Sequence, residues 1–291
     1  MQFSTQRMTQ TANNPATFGR LLAITSRPQN IVFSGLLALV VATLHGNFRA
    51  GLWSYLLLFV LYTAAAIYNN LHDVAADRLN HRTDNPFSDQ RLTARSGYVW
   101  LGVQVALTAV LQVALVQPVG IVVTVAYFCL LVAYSHRTVR LQARGLVAPF
   151  VLACCYGGLP VILASGQVGH VDWWLAGIVT LLCVPLLLAK DYKDLVGDRA
   201  TGKRTALVRY GSPKVWRISL FLACCGCAAT AGYLYLQGPL SVSIIALSVV
   251  CLAIYLYSVW YVHQRRTRRP AYFLRLPQAA LIVLAGCLTI L

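Results

Sequence analysis

Apolar residues in this chain gather into long unbroken runs, and polar ones are confined to what lies between. Nine runs stand out, at 28–45, 51–71, 97–116, 118–135, 146–165, 173–190, 214–236, 240–262 and 271–290. Each comes close to the ~20 residues that an α-helix needs to cross a bilayer, so the pattern predicts an all-α, polytopic membrane protein with nine transmembrane helices. Residues 1–27 form a polar tail, and its first residues, Met1 to Pro15, lack the apolar core of a cleaved signal peptide. Arg27-Pro28-Gln29-Asn30 opens the first run with a proline suited to a helix's first turn. Gly157-Gly158-Leu159-Pro160 should bend or break the fifth helix, with close helix packing as the competing account. Tyr255, Tyr257, Trp260 and Tyr261, near one end of the eighth, read as an interfacial aromatic belt.

Composition agrees with the class: 58% of residues are hydrophobic, 11% are charged, and the mean hydropathy is +0.65. Placing each Lys and Arg on its connection puts every one except Arg49 on the same side of the nine helices. By the positive-inside rule that side is the cytoplasm, which sets the N-terminus inside and the C-terminus outside. The formal net charge of +16 is thereby accounted for by topology and attraction to anionic lipid, with no nucleic-acid partner implied. All nine cysteines fall within the apolar runs, where they serve as small packing residues.

The acids change the picture. The chain has no Glu, and its Asp residues are 73, 77, 84, 89, 172, 191, 194 and 198. All but Asp172 lie in two short segments beside the basic connections. In the first, Asn69, Asp73 and Asp77 stand at i, i+4 and i+8, and share a face if the second helix continues. In the second, Asp191, Asp194 and Asp198 stand at i, i+3 and i+7, again one helical face. Carboxylates a turn apart repel unless a cation lies between them. Lys190, Lys193, Arg199, Lys203 and Arg204 surround the second stripe, a combination suited to Mg²⁺-bridged phosphates. Local salt bridges such as Asp194 with Arg199 would explain these bases but not why a second acid stripe exists. The connection Arg78 to Ser96 reads as a flap over the site or as a tether. A carrier with acids in its bundle is the competing class; against it, the acids sit at the membrane edge and no repeat between halves is evident.

These residues resemble the UbiA superfamily of intramembrane prenyltransferases. Asn69-Asn70-Leu71-His72-Asp73-Val74-Ala75-Ala76-Asp77 is similar to the family's first acidic motif, and Lys190 to Thr205 to its second. Arg27 to Asn30, Tyr134-Ser135 with the bases that follow, and Gly158-Leu159-Pro160 also look like family features. The resemblance implies a single prenyltransferase domain over 28–291, its helices set around a central cavity. It implies Mg²⁺ held by Asn69, Asp73, Asp77, Asp191, Asp194 and Asp198, and catalysis by Lys193, Lys203, Arg140 and Tyr134. Substrate contacts fall to Arg27, Asn30, Asn70, Lys190 and Arg204. The implied reaction moves an isoprenyl group from its diphosphate to an acceptor, most readily an aromatic one; a terpene cyclase without acceptor is the alternative. Asn70 replaces the family's usual Asp, and 80–93 lacks the Arg-Pro-Leu-x-Ser-Gly pattern of aromatic prenyltransferases.

Overall fold

The structure, a computed structural model, describes residues 15–114, 117–265 and 271–290; within these, the side chains of residues 15, 16, 28–30, 114, 193, 265 and 271–274 are not described. Each apolar run becomes helix. The elements are α1 (Pro15–Ser26), α2 (Pro28–Leu44), α3 (Phe48–His72), α4 (Val74–Leu79), α5 (Ala94–Ala114), α6 (Val119–Ser135), α7 (Val147–Ala153), α8 (Leu159–Gly166), α9 (Trp173–Ala189), α10 (Leu195–Ala200), α11 (Ala206–Leu236), α12 (Val242–Arg265) and α13 (Ala271–Thr289). Among the described residues six helical segments are long and apolar enough to cross a membrane, and Val119–Ser135 and Arg275–Thr289 are apolar but shorter. The protein is an integral, multi-pass membrane protein.

The core joins α2, α3, α6 to α9 and α11 to α13 through buried Leu37, Leu57, Leu61, Leu163, Leu182, Tyr255 and Leu281. α13 packs on both α12 and α2, so the last helix closes the bundle onto the first. α5 and α6 turn Val99, Val110, Ile121 and Val122 outward, an apolar surface suited to lipid. α1 is an ordered helix docked through Leu21 onto Phe87 and Leu92. The tail before Pro15 lies outside the described residues.

Irregularities fall where glycine and proline put them. Cys154–Gly158 forms a single π-turn between α7 and α8, at the predicted break, and the Ser34 hydroxyl donates to the Tyr156 carbonyl there at 2.8 Å. α11 kinks at Gly211, whose φ of 73° no β-branched residue would tolerate. Tyr255 corrects the aromatic-belt reading: it is fully buried and donates to the Leu182 carbonyl at 2.8 Å, within a turn of Pro185 inside α9. Tyr257 and Trp260 are exposed.

Candidate active site

Neither acidic motif lies on one continuous helix. α3 ends at His72, Asp73 takes a non-helical φ/ψ of −97° and 10°, and the six-residue α4 follows. In the second motif Lys190–Lys193 tightens into a 3₁₀ turn, Asp194 takes −102° and 1°, and the six-residue α10 follows. The single stripe expected of Asp191, Asp194 and Asp198 is therefore broken at Asp194, because the Asp194 amide bonds back three residues to Asp191. Around Asp73 the four-residue ladder survives: Asp73 N–H reaches the Asn69 carbonyl, and Asp77 N–H that of Asp73, both at 2.9 Å.

The two motifs are copies of one device. After each short helix a left-handed residue, His81 (φ 52°) or Gly202 (φ 69°), terminates the turn. In the first copy Arg82 N–H bonds to Asp77 O and His81 N–H to Arg78 O; in the second Lys203 N–H bonds to Asp198 O and Gly202 N–H to Arg199 O. Both are Schellman closures. They leave Arg82 and Lys203 in equivalent positions, and α4 packs against α10. The cations cross over. Arg82 lies 3.8 Å from Asp77 of its own motif and 3.5 Å from Asp194 of the other, while Lys203 lies 3.8 Å from Asp198 of its own and 3.3 Å from Asp73 of the other.

Close approach of the short helices rests on Gly197. Its N–H donates to Asn80 Oδ1 at 2.7 Å, and a Cβ there would stand 2.5 Å from the Asn80 carboxamide. Gly197→Ala is expected to push α4 from α10 and lower kcat/KM about tenfold, the effect of one lost buried hydrogen bond with some displacement. Adding Asn80→Ala should cost little more, since both changes break one contact. Fully additive losses in steady-state kinetics would refute the shared contact.

Around this pair the expected residues are variously placed. Ser135 donates to Asn69 Oδ1 at 3.1 Å, and Gln142 to Asp73 Oδ1 at 2.8 Å. Arg27 donates to Asn70 Oδ1 at 2.5 Å and lies 3.5 Å from Asp84. Lys190 pairs with Asp191 at 2.6 Å. Tyr134 lies within electrostatic reach of Lys190, Lys203, Asp191 and Asp73. Arg27 and Arg140 both hold left-handed backbone, φ 48° and 44°, a conformation costly for a non-glycine residue. Arg204 is exposed, and its carbonyl accepts from Gly145 N–H at 2.9 Å, tying the segment after α6 to the second motif. Asp194 pairs with Arg82 rather than Arg199. The side chains of Asn30 and Lys193 lie outside those described.

Sequence reasoning missed Arg82, Asn80, Asn85 and Gln142. Asn85 is fully buried and donates to the Asn70 carbonyl at 2.9 Å and to Asp77 Oδ2 at 2.7 Å, so the connection after α4 is latched to the site. A signal for Arg82 was present: Asp73-x-x-x-Asp77-Arg78-x-x-x-Arg82 repeats as Asp194-x-x-x-Asp198-Arg199-x-x-x-Lys203.

Asp73, Asp77, Asp191 and Asp198 are 6%, 4%, 6% and 2% exposed, so four carboxylates are withdrawn from water in one place. Burial raises the Asp77 carboxyl, against Arg82 and Asn85. It pushes Asp198 up to about 7, helped by Asp191 and Asp194 and opposed by Lys203 and Lys190. Arg82 and Lys203 are held more firmly protonated, their carboxylate partners outweighing burial. Among the described residues no three Asp, His or Cys side chains converge on one ion. The donor set nevertheless fits Mg²⁺, which takes one or two carboxylates and completes its shell with water and phosphate oxygens. An added cation would favour the ionised carboxylates that burial first, and neighbouring acids second, disfavour at Asp77 and Asp198.

The chain matches the UbiA prenyltransferase family over residues 31–282. It is 31% identical over 219 residues to the digeranylgeranylglyceryl phosphate synthase of Methanoculleus marisnigri, covering 72% of this chain and 74% of that one. It is 30% identical over 152 residues to the bacteriochlorophyll synthase 33 kDa chain of Cereibacter sphaeroides, covering 49% and 48%. Its fold is similar to that of a UbiA homologue from Archaeoglobus fulgidus bound to GPP and Mg²⁺, with a TM-score of 0.66 at 15% identity over 90% of this chain and 99% of that one.

Proposed function

The chain belongs to the UbiA prenyltransferase family and is a prenyltransferase; from that premise we propose that it moves an isoprenyl group from an Mg²⁺-bound isoprenyl diphosphate to an acceptor held among its nine membrane helices. The observation that carries this reading is the crossed pair of motifs, where buried acids and bases alternate at one edge of an apolar bundle. Such a site suits a ligand with an ionic head and a lipid tail. Tyr134, Tyr156 and Lys190 lie deep among neighbouring helices yet keep accessible surface, which supports a central chamber. The one-sided basic connections support a cytoplasmic site.

Asn69, Asp73 and Asp77 from one motif, with Asp191, Asp194 and Asp198 from the other, would hold Mg²⁺. When bound, Mg²⁺ neutralises charge on the diphosphate and makes it a better leaving group. Arg82, Lys203 and Lys190 would exchange carboxylate partners for phosphate oxygens, and Arg27, Asn30, Arg140, Lys193 and Arg204 would add further contacts to the substrate. The Tyr134 ring would stabilise the allylic carbon, where positive charge develops as the carbon–oxygen bond breaks and the electron pair leaves on diphosphate. An acceptor lone pair then forms the new bond, and the acceptor proton passes to the departing diphosphate. For the acceptor, the missing Arg-Pro-Leu-x-Ser-Gly pattern and the glyceryl phosphate in the M. marisnigri relative's name favour the hydroxyl of a polar lipid over an aromatic ring.

Purified protein given geranyl, farnesyl or geranylgeranyl diphosphate with Mg²⁺ should consume little donor alone and form an ether once a glyceryl phosphate lipid alcohol is added. A prenylated phenol would replace the acceptor class, a cyclic hydrocarbon without acceptor would make the protein a cyclase, and full activity after chelation would overturn the metal-dependent reading.

A further inference from the structure

Lys214 and Arg217, beyond the α11 kink, have no acidic partner among the described residues, and every Asp side chain is accounted for elsewhere. There is no Glu. Asp73, Asp77, Asp84, Asp191, Asp194 and Asp198 are engaged by Arg27, Arg82, Lys190 and Lys203, and Asp89 by Arg91. Asp172 caps the far end of α9. Both cations border a groove of about 660 Å³ whose other walls include Leu146, Phe150 and Phe221. Lys214, Arg217 and Phe221 stand at i, i+3 and i+7 of one helix, so polarity along the groove changes from cationic to aromatic over about 10 Å of helical rise. The far wall, Leu146 and Phe150, is apolar and one turn apart.

We propose that this groove is a binding site for one anionic glycerophospholipid, its phosphate on Lys214 and Arg217 and an acyl chain along Phe150 and Phe221. Complementary charge selects the head group, and basic pockets between membrane helices commonly take such lipids. A soluble anion would leave the apolar walls uncovered, and a zwitterionic lipid would bring a third cation to the two already present. The site also adjoins the active centre. Lys214 stands over the Tyr210 ring at 5.2 Å, with Arg209 over the same ring at 5.3 Å. Tyr210 lies against Gly145, which pairs with Arg204 and Thr205, the residues next to Lys203. A lipid seated on Lys214 thus braces the segment that carries an active-site cation.

The test is native mass spectrometry on full-length protein in detergent, with phosphatidylglycerol or phosphatidylcholine added, together with hydrogen exchange over residues 201–211. The wild type should retain one phosphatidylglycerol, about tenfold better than phosphatidylcholine, and exchange should slow when it binds. K214Q/R217Q should lose both effects, whereas K214R/R217K, and R20Q/R137Q at exposed bases elsewhere, should keep them. Retention by K214Q/R217Q, equal loss in R20Q/R137Q, or no preference between the lipids would overturn the site. Unchanged exchange in the wild type on binding would overturn the link to the active centre. Similar thermal unfolding of the variants and wild type separates lost binding from lost folding.

Discussion

Asp73→Ala and Asp198→Ala should each reduce diphosphate release by about 10³-fold while leaving the protein inserted and monodisperse; this magnitude is typical where a charged group that organises the transition state is removed. The two residues are the acids, one from each motif, that share Lys203. Asp73 receives Gln142 at 2.8 Å and Lys203 at 3.3 Å, and it is the hinge between α3 and α4. Asp198 is the most deeply buried of the eight and lies 3.8 Å from Lys203. Losing either leaves Lys203 with one carboxylate and withdraws a ligand from the proposed Mg²⁺ shell. Asp89→Ala is the matched control: its side chain is 45% exposed and pairs with Arg91 rather than with the site, and less than a tenfold loss is expected. Single-turnover assays with each variant in the same membrane measure the effect. Wild-type release from both Asp73→Ala and Asp198→Ala would remove the carboxylates from the mechanism, whereas equal losses in all three variants would point to general destabilisation.

Much of the fold was legible because a bilayer leaves backbone amides few options. An apolar run of the right length has to become a helix, and among the described residues the runs are helical, six segments being long and apolar enough to cross a membrane; the break at Gly157-Gly158 fell where those residues placed it. What a run does not state is which face points inward. Tyr255 and Tyr257 are two residues apart in one apolar stretch, yet one is core and the other faces outward. The acids were legible for another reason: a chain with no Glu concentrates its few Asp where charge is used.

Their arrangement was less visible. Spacing of three, four and seven residues is shared by a continuous helix and by two short pieces hinged at an Asp, so periodicity could not place the breaks at Asp73 and Asp194. Contacts such as Gln142 with Asp73, or Asn80 with Gly197, join residues far apart in sequence and carry no local signature. The repeat ending in Arg82 and Lys203 was readable residue by residue. It was hidden by comparing whole halves of the chain, when the duplicated unit is only a hinge, a short helix and its closing turn.

That repeat places Arg82 and Lys203 in equivalent positions, but their chemistry makes them respond differently to exchange. Arg82 engages Asp84 through two nitrogens, Nε at 2.8 Å and Nη2, while Nη1 turns to Asp194. A lysine offers a single ammonium and cannot hold both partners in that fork. Lys203 makes two single contacts, to Asp73 and Asp198, and a guanidinium can make both. Arg82→Ala and Lys203→Ala should therefore each cost about 100-fold in kcat/KM. Arg82→Lys should recover little of that loss, and Lys203→Arg should stay within about tenfold of wild type. Steady-state kinetics on the four variants, normalised to folded protein, decide the matter. If Arg82→Lys works as well as wild type, only positive charge is needed at that position and the fork has no role; if Lys203→Arg fails as badly as the alanine variant, Lys203 depends on the compactness of its ammonium and the two halves of the site are less alike than their backbones.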